Sequence, residues 1–342
     1  MPDDSTIKSF LDSILTFQAK VAPTKEESLL IKSGRLLDVM YSRLTSTKFR
    51  KSKVDEGTAN FVKKYLDQAI SQNQPIRLYF LFGGYKQARL QSCPHPEWAE
   101  MFNLQFALQV ASVIESIYEP GVDVIYRGDE VVVTLLDNYK KASREIYKKE
   151  FDAMIDLFQQ SIPSDRKISV RYELTSETSP EEKLFPLMES LYPKYLAKHE
   201  ALPEDVQQQH IAKAYRNQCW NGEDDLSNLD EEKKLERAKW AYIMHDAFLE
   251  ADVTIAEDFV NNGISITFRS NVPGCLHFGS CSSSSVQFWA GEGFLNAKDG
   301  RIIPWILSND QQEGMNFESV LVENPTFIEL GLTSIRVMRD FS

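Results

Sequence analysis

The residues with the clearest chemical potential follow a short apolar run at positions 76–82. Gly83 and Gly84 come directly after this run, and Tyr85 and Lys86 follow them. Two glycines allow a sharp turn and let backbone N–H groups approach a ligand closely. A lysine at the end of a buried strand can polarise a carbonyl or hold a phosphate, and the alternative is an ordinary exposed lysine. Because the segment has neither Walker A nor GxGxxG spacing, its phosphate signal is weak.

Further charged residues follow this segment. Arg89 adds a second cation, and carboxylates follow at Glu97 and Glu100. Both glutamates fall in the first turn of a helix that the pattern predicts over residues 96–118. Carboxylates in a first turn interact favourably with the helix dipole, so capping is one interpretation. The other interpretation makes one of the two glutamates a catalytic base.

A repeated Cys-x-His spacing indicates a different kind of site. Cys93 and His95 form one pair, Cys275 and His277 form another, and Cys281 lies just beyond. Thiolates and imidazoles are good ligands for zinc or copper. Neither segment has the CxxC spacing of common structural sites, so the favoured site contains no metal. A metal-dependent enzyme that uses these side chains remains an alternative.

The elements that would position these residues form an α/β pattern. Residues 76–82 have the aromatic and β-branched content of a strand buried on both faces, and residues 122–126 predict another strand after the helix. The order of strand, glycine loop, helix and strand predicts a Rossmann-like mixed sheet flanked by helices, with a helical insertion. Ligands of such sheets bind beyond the carboxyl ends of the strands, which points to Gly83, Gly84 and Lys86.

We expect a single α/β domain over residues 1–342. N-terminal helices occupy 1–73, the core sheet unit 74–175, a helical insertion or subdomain 176–260, and C-terminal strands with a loop 261–342. A helix at 143–160 is expected to turn Ile146 inward. The loop at 271–285 is too long for a passive connection, and we interpret it as a lid. Further strands are predicted at 130–135, 168–174, 263–269, 286–290, 301–307, 320–322 and 334–338, with a turn at 291–300.

The charge of the chain argues against several classes of partner. The 342 residues carry a formal net charge of −12 without a long Lys/Arg cluster, so we expect no nucleic-acid and no acidic-membrane partner. The N-terminus lacks the features of a signal peptide, and no stretch approaches a membrane span, which predicts a cytoplasmic location. Four cysteines are few for a disulfide scaffold of this length, so we expect reduced thiols.

Five motifs occur in a recognisable order between residues 74 and 307. The first strand ends in Phe82-Gly83-Gly84-Tyr85-Lys86, the next helix begins with residues 96–100, and it ends with residues 117–121. Two further motifs follow later in the chain, Asp246-Ala247-Phe248 and Ile303-Pro304-Trp305. They resemble the Phe-Pro-x-Lys, Pro-Asp-x-x-Glu, Ile-Tyr-x-Pro-Gly, Glu-Ala-Tyr and Thr-Pro-Trp-His segments of the pyoverdine-chromophore and dityrosine biosynthesis family. Bacterial members of that family include isocyanide (isonitrile) synthases.

The resemblance implies a reaction without metal or other cofactor, in natural product biosynthesis. The amine of an amino acid attacks the ketone of ribulose 5-phosphate, and a sugar carbon is retained as the isocyanide carbon. The implied partners are therefore an amino-acid substrate and a sugar phosphate, with a downstream oxygenase as an optional partner. An enzyme of this kind forms a carbon–nitrogen bond.

Such a reaction needs a base for the substrate ammonium, a donor at the ketone oxygen, and cations or N–H groups for the phosphate. We assign Lys86 to the ketone and Glu100 or Asp129 as the base, while Arg127 and Arg269 hold phosphate or carboxylate. For residues 127–129 the alternative is a plain hairpin turn. The remaining expected substrate contacts come from Gly83, Gly84, Tyr85, Arg89, His277 and Trp305.

The chain also departs from the family at polar positions. Tyr126-Arg127-Gly128-Asp129 replaces Cys-Ser-Asp-Gly, and Ile306 replaces the histidine of Pro-Trp-His. Ser265 and Arg269 stand where the family has an arginine and a histidine. A noncatalytic small-molecule-binding relative that kept the fold is therefore another alternative.

Overall fold

A five-stranded parallel sheet forms the centre of the molecule. The computed structural model describes residues 2–17, 21–224, 226–256, 261–269, 272–298 and 300–339. The sheet has the order β3-β2-β1-β4-β5, so the first strand lies in the middle. This arrangement confirms the Rossmann-like α/β prediction. The strands are β1 (Ile76–Phe82), β2 (Val122–Gly128), β3 (Ile168–Leu174), β4 (Ile264–Thr267) and β5 (Leu276–His277).

The strand order creates a switch point between β1 and β4. The chain moves from β1 outward through β2 and β3, and then returns to add β4 on the other side of β1. Connections on the two sides of a switch point leave in opposite directions, which opens a crevice at the carboxyl ends of the strands. The segments that follow β1, β2 and β4 all begin at this crevice.

The predicted N-terminal helices are present, and their caps follow the sequence. They are α1 (Asp4–Ile14), α2 (Lys25–Lys32), α3 (Leu36–Leu44) and α4 (Glu56–Gln72). Thr24 and Glu27 form the capping box of α2, because each side chain accepts a hydrogen bond from the other residue's backbone N–H. Asp3 and Asp55 cap α1 and α4 in the same role.

The helix after the glycine loop is the central helix of the fold. This helix, α5 (Trp98–Glu115), is buried on nearly every face. It packs on β2 and on the second sheet, and a helix that is apolar all round fits between two layers. Gly293 permits the close packing, since a Cβ atom there would lie 2.5 Å from the Ala99 nitrogen.

A short helix replaces one of the predicted strands. Residues 130–135 form α6 (Glu130–Leu135), not a strand. Although Val131, Val132 and Val133 favour strands, the Glu130 carboxylate accepts hydrogen bonds from the Thr175 and Ser176 nitrogens. Val131 and Val132 then pack into the core of the helical insertion. Tertiary contacts thus override the intrinsic strand preference.

The helix over residues 141–161 was predicted correctly, except for one side chain. This helix, α7 (Lys141–Ser161), buries Phe151, Met154 and Phe158. Ile146, which we expected to face inward, is exposed.

The helical insertion occupies the chain between β3 and β4. It contains α8 (Thr175–Thr178), α9 (Glu181–Glu200), α10 (Glu204–Asn221) and α11 (Glu231–Ile255). Its separate apolar cluster joins Leu184 and Met188 of α9 to Met244 and Phe248 of α11. Within the described ranges, no helix is both long and apolar enough to cross a membrane.

A second, four-stranded sheet closes the fold, in the order β7-β6-β9-β8. Its strands are β6 (Glu292–Lys298), β7 (Arg301–Leu307), β8 (Glu318–Leu321) and β9 (Ser334–Arg339), with the short helices α12 (Asn309–Gln312) and α13 (Pro325–Glu329). The predicted turn at 291–300 was wrong, because β6 pairs with both β7 and β9. The predicted strand at 286–290 instead ends in a 3₁₀ turn, Phe288–Ala290.

Candidate active site

Two glycines bring the carboxyl ends of β1 and β2 together. Gly84 has φ +70°, and a Cβ atom there would lie 3.2 Å from the Gly128 Cα atom. A side chain at either position would therefore push the strand ends apart. The Asp129 nitrogen donates to the Phe82 carbonyl at 3.1 Å. The glycine loop and Asp129 thus start from the same point of the sheet edge.

Tyr85 lies in the loop that follows β1, at the edge where the parallel strands end. Its ring contacts the Tyr139 ring with centroids 4.8 Å apart, and the Tyr139 hydroxyl donates to the Lys86 carbonyl at 2.7 Å. Burial raises the pKa of Tyr85, and four charged side chains also act on it. The carboxylates of Asp129 and Asp137 and the guanidiniums of Arg89 and Arg269 all act on it.

Asp129 is the carboxylate best suited to exchange a proton in this crevice. It is half-buried, and its closest described side-chain partner is the Thr175 hydroxyl at 3.4 Å. Burial raises the pKa of Asp129 to about 7, the Arg127 charge opposes this, and Asp252 adds to it. A carboxyl group with a pKa near neutrality can accept a proton at working pH, as a general base must.

The opposite wall comes from the helical insertion and from the end of β4. His245 of α11 is half-buried, and its pKa is lowered first by burial and then by the Arg269 charge. Lys213 of α10 has its pKa lowered by burial and by the cations of Arg269 and Arg216. Burial raises the pKa of Asp137 to about 6, and Lys213 opposes the shift.

Hydrogen bonds fix the Asp137 segment to α10. The Asn221 side chain donates to the Asp137 carbonyl at 2.7 Å, and the Gln218 side chain donates to the Leu136 carbonyl at 2.8 Å. Asn138 completes the junction by donating to the Gln218 carbonyl at 3.1 Å. Because α10 is tied here, its charged residues are held beside the crevice.

Lys86 and Glu100 meet in a buried ion network under the glycine loop. The Lys86 ammonium donates to Glu97 at 2.9 Å, to Glu100 at 2.9 Å and to the Phe288 carbonyl at 3.2 Å. The Tyr147 hydroxyl donates to Glu100 at 3.1 Å. Lys86 is 0% exposed, so the interpretation as an ordinary exposed lysine was wrong.

The two partners in this network influence each other's protonation. Burial alone would lower the pKa of Lys86, but the Glu100 and Glu97 carboxylates outweigh it and raise that pKa. Burial also raises the pKa of Glu100, the Lys86 charge opposes this, and the Glu97 carboxylate adds to it. Glu97 and Glu100 also form the capping box of α5, as the capping interpretation predicted.

The guanidinium group of Arg127 is already bound to another side chain. Its two terminal nitrogens donate to Asp252 at 2.6 and 2.7 Å, and one also donates to the Thr178 hydroxyl at 2.8 Å. The hairpin interpretation of residues 127–129 was wrong, since β2 runs into α6 here. In this arrangement Arg127 ties the sheet to α8 and α11, and binding a substrate anion would require it to release Asp252.

Two other predicted contact residues lie elsewhere in the fold. His277 is on β5, where its ring lies 3.2 Å from the Ser52 hydroxyl, and its pKa is lowered by burial and then by Lys51. Trp305 is on β7 opposite Phe294 in the second sheet. The structure therefore brings Tyr85, Arg89, Asp129 and Arg269 together at the crevice, but places these two side chains outside it.

The two Cys-x-His segments have separate surroundings. Cys93 contacts the Tyr139 hydroxyl at 3.4 Å, and His95 contacts Glu150 of α7 at 2.9 Å. Cys281 is 3.5 Å from the Pro304 carbonyl. In the part of the chain that the structure describes, no group of three or more His, Cys, Asp or Glu side chains could hold a metal ion.

The segment interpreted as a lid is anchored, although Asn271 at its start lies outside the described residues. Asn103 of α5 donates to the Ser280 carbonyl at 2.7 Å, and the Ser284 hydroxyl donates to the Ile306 carbonyl at 2.5 Å. Phe278 and Cys281 are buried. These contacts favour a packed segment over a mobile lid.

Sequence reasoning missed four residues of the site or its support. Asp137 and Asp252 gave no local signal, because their neighbours come from distant segments. Lys213 and His245 lie in the region predicted as a helical insertion, outside the candidate site. The spacing of Lys213, Arg216 and Trp220 along one face of α10 was the one available signal.

The fold and the crevice define a Rossmann-like α/β protein with a charged crevice at a switch point of its parallel sheet. No family model and no curated protein matches the sequence. Among solved structures, the chain is similar to the PvcA protein from Pseudomonas aeruginosa, with a TM-score of 0.64 and 15% identity. That similarity covers 89% of this chain and 100% of the other, and it shows the fold alone.

A second structure shows a much lower similarity. Tyrosyl-tRNA synthetase from Aeropyrum pernix has a TM-score of 0.28 at 13% identity, over 66% of this chain and 57% of the other. This value supports no conclusion about fold or function. The fold assignment therefore relies on the sheet topology and on the PvcA structure.

Proposed function

We propose that the protein is an isocyanide synthase-like enzyme that joins an amino-acid amine to the ketone carbon of a sugar phosphate such as ribulose 5-phosphate. The observation that carries the proposal is a half-buried Asp129 carboxyl with a pKa of about 7 in the same crevice as Arg89 and Arg269. The PvcA-like fold and the sequence motifs support the same class of enzyme.

Asp129 has the role of base in this proposal. A substrate ammonium must lose a proton before its nitrogen can attack a carbonyl carbon, and a carboxylate in the crevice can accept that proton. As the carbon–nitrogen bond forms, the carbonyl π electrons move to oxygen, where a donor is needed. In this proposal the Tyr85 hydroxyl, which its raised pKa keeps protonated, donates a hydrogen bond to that oxygen.

The buried network has a positioning role in this proposal. Lys86 and Glu100 hold the glycine loop against α5, so that Tyr85 faces the crevice. Arg89 and Arg269 attract the anionic part of the substrate. Lys86 could act directly on the ketone only if it exchanged one of its three present partners.

The reaction can be tested with isotopically labelled ribulose 5-phosphate and a pool of amino acids. We expect a product that contains both the amino-acid nitrogen and a labelled sugar carbon, detected by mass spectrometry. The Asp129→Asn variant should form it at least about 100-fold more slowly, since general-base catalysis contributes roughly 10²–10⁴-fold. If no amino acid consumes labelled sugar in the parent protein, the proposed activity is wrong.

The noncatalytic alternative gives a different result in the same experiment. A binding protein would retain ribulose 5-phosphate unchanged, with a dissociation constant measurable by calorimetry. Its Asp129→Asn variant would lose no product, because the parent forms none. Binding without turnover would therefore favour that alternative over the enzyme.

A further inference from the structure

We propose that the helical insertion contributes a phosphate-binding site to the crevice, formed by Lys213 and Arg216 of α10 together with Arg89 and Arg269. The proposal deepens the proposed function, because it places the phosphate of a sugar phosphate at the insertion side of the crevice. The sequence had assigned this group to the glycine loop and to Arg127 and Arg269, without any residue of the insertion.

The four cations converge from three different segments. Lys213 and Arg216 lie three residues apart on α10, and the charge of Arg269, from the end of β4, acts on Lys213. Arg89 comes from the loop after β1, and its charge acts on Tyr85 together with that of Arg269. The convergence therefore requires the folded insertion.

Trp220 connects the loop to α10. The Arg89 guanidinium lies 5.1 Å from the centroid of the Trp220 ring, and the Arg216 guanidinium lies 5.1 Å from the same ring. Each is within cation–π distance. Because Lys213, Arg216 and Trp220 are three and four residues apart, they occupy one face of α10.

These cations are poorly neutralised by the protein itself. Among the side chains that the structure describes, neither Lys213, Arg216 nor Arg269 has an ion pair with a carboxylate, and Arg89 reaches only the exposed Asp310 at 3.8 Å. The chain as a whole carries a net charge of −12. Collecting unpaired cations in an acidic protein costs electrostatic energy, which a bound dianion would remove.

The acidic residues of the crevice determine the orientation of a ligand. Asp129 lies at the end of β2, where its nitrogen donates to the Phe82 carbonyl, whereas Lys213 and Arg216 lie on α10, with Asp137 near Lys213. A phosphate would be attracted to the cations and repelled by the carboxylates. A molecule with a phosphate at one end and its reactive carbon at the other would then extend from α10 toward Asp129.

Calorimetric titration at low ionic strength tests this site with three probes: ribulose 5-phosphate, ribulose and inorganic phosphate. We expect ribulose 5-phosphate to bind and ribulose to bind much more weakly. Lys213→Ala and Arg216→Ala should each weaken binding of ribulose 5-phosphate roughly tenfold or more, since each removes a charged contact. Both side chains are exposed, so melting temperatures should change little.

Lys183→Ala is the matched control, because Lys183 is an exposed lysine on α9. It should leave binding unchanged. Equal affinity of the parent and both α10 variants would overturn the proposal, as would equal binding of ribulose and ribulose 5-phosphate. Failure of ribulose 5-phosphate and inorganic phosphate to bind at millimolar concentration would overturn it too. Absence of an isocyanide product with an intact phosphate site would contradict only the proposed reaction.

Discussion

Burial separates the roles of the charged residues near the glycine loop. Lys86 and Glu100 are completely buried and satisfy each other, whereas Asp129 keeps accessible surface and has a single weak side-chain contact. A group that must exchange a proton with a substrate needs both a suitable pKa and access. At the residue scale, Asp129 meets both requirements.

Asp129→Asn should stabilise the fold in a pH-dependent way. The folded pKa of about 7 lies above the ordinary value of 3.8, so the folded protein retains a proton that the unfolded chain releases. The free energy of unfolding therefore falls as pH rises from 3.8 to about 7. Asparagine has no acidic proton, so the variant does not lose this stability. Denaturant unfolding should show a gain on the order of 1–2 kcal/mol at pH 8, and almost none at pH 3.5.

Asp156→Asn on the exposed side of α7 is the control for that change. It should alter stability by no more than about 0.5 kcal/mol at either pH. In the parent, kcat/KM should rise with pH through about 7, because the base must be ionised. An Asp129→Asn variant that is less stable than the parent at pH 8 would contradict the raised pKa.

Arg127→Lys tests whether the Arg127–Asp252 pair supports the structure. Lysine keeps the charge but loses the fork that binds both Asp252 oxygens. We expect a loss of about 1.5–3 kcal/mol in the free energy of unfolding, since charged hydrogen bonds in a buried site are removed. Arg35→Lys, in an exposed pair with Asp38, should cost about 0.5 kcal/mol or less.

A double variant identifies the reason for that loss. Asp252→Leu alone leaves a buried guanidinium without its carboxylate, which is strongly destabilising. Arg127→Met combined with Asp252→Leu removes both charges and should be more stable than Asp252→Leu alone. If Arg127→Lys instead unfolds like the parent but loses substrate affinity, Arg127 binds the substrate.

At the scale of elements, the site depends on how closely β1 and β2 end beside each other. The glycine at each strand end lets the two backbones touch, and β3 adds Tyr172 at the same place. The Tyr172 hydroxyl is buried and has no described hydrogen-bond partner. The close packing of Tyr172 against the two strand ends should make them sensitive to a single added methyl group.

Gly128→Ala should therefore destabilise the protein by on the order of 2–3 kcal/mol, as overpacked cores do. Its Cβ atom would lie 2.6 Å from the Tyr172 hydroxyl and 3.1 Å from the Gly84 Cα atom. Tyr172→Phe removes the nearest clashing atom, so the double variant should regain part of the stability. Thermal unfolding measures both changes.

Gly331→Ala separates crowding from backbone strain. Gly331 has φ +80° with nothing within 4 Å of an added Cβ atom, so its cost is only conformational, about 1 kcal/mol. A Gly128→Ala variant as stable as the parent, or unaffected by Tyr172→Phe, would show that the strand ends have room.

At the scale of the whole molecule, the crevice exists because the insertion returns to the sheet edge. The segment after α6 is tied to the end of α10, and α11 is tied to β2 through Asp252. These links carry Lys213 and His245 to the residues that follow β1 and β4. The central sheet alone would lack the charged groups that α10 and α11 supply.

Much of this architecture was determined by local sequence. Strand β1 follows from its apolar run and β3 from its alternating pattern. The capping box at Thr24 and Glu27 and the α5 cap at Glu97 and Glu100 follow from side-chain chemistry that acts over a few residues. The glycine turn after β1 likewise predicted the edge at which the crevice lies. Such signals are readable because the interacting groups are close in sequence.

Only the tertiary structure decided which charged groups are free to act. Sequence reasoning named both Lys86 and Asp129 as catalytic candidates. In the fold, Glu97 and Glu100 bind the Lys86 ammonium, whereas Asp129 faces the crevice. The helix at 130–135 was also decided by distant partners, the Thr175 and Ser176 nitrogens. Burial and long-range pairing set pKa values and access, and neither is contained in the spacing of residues along the chain.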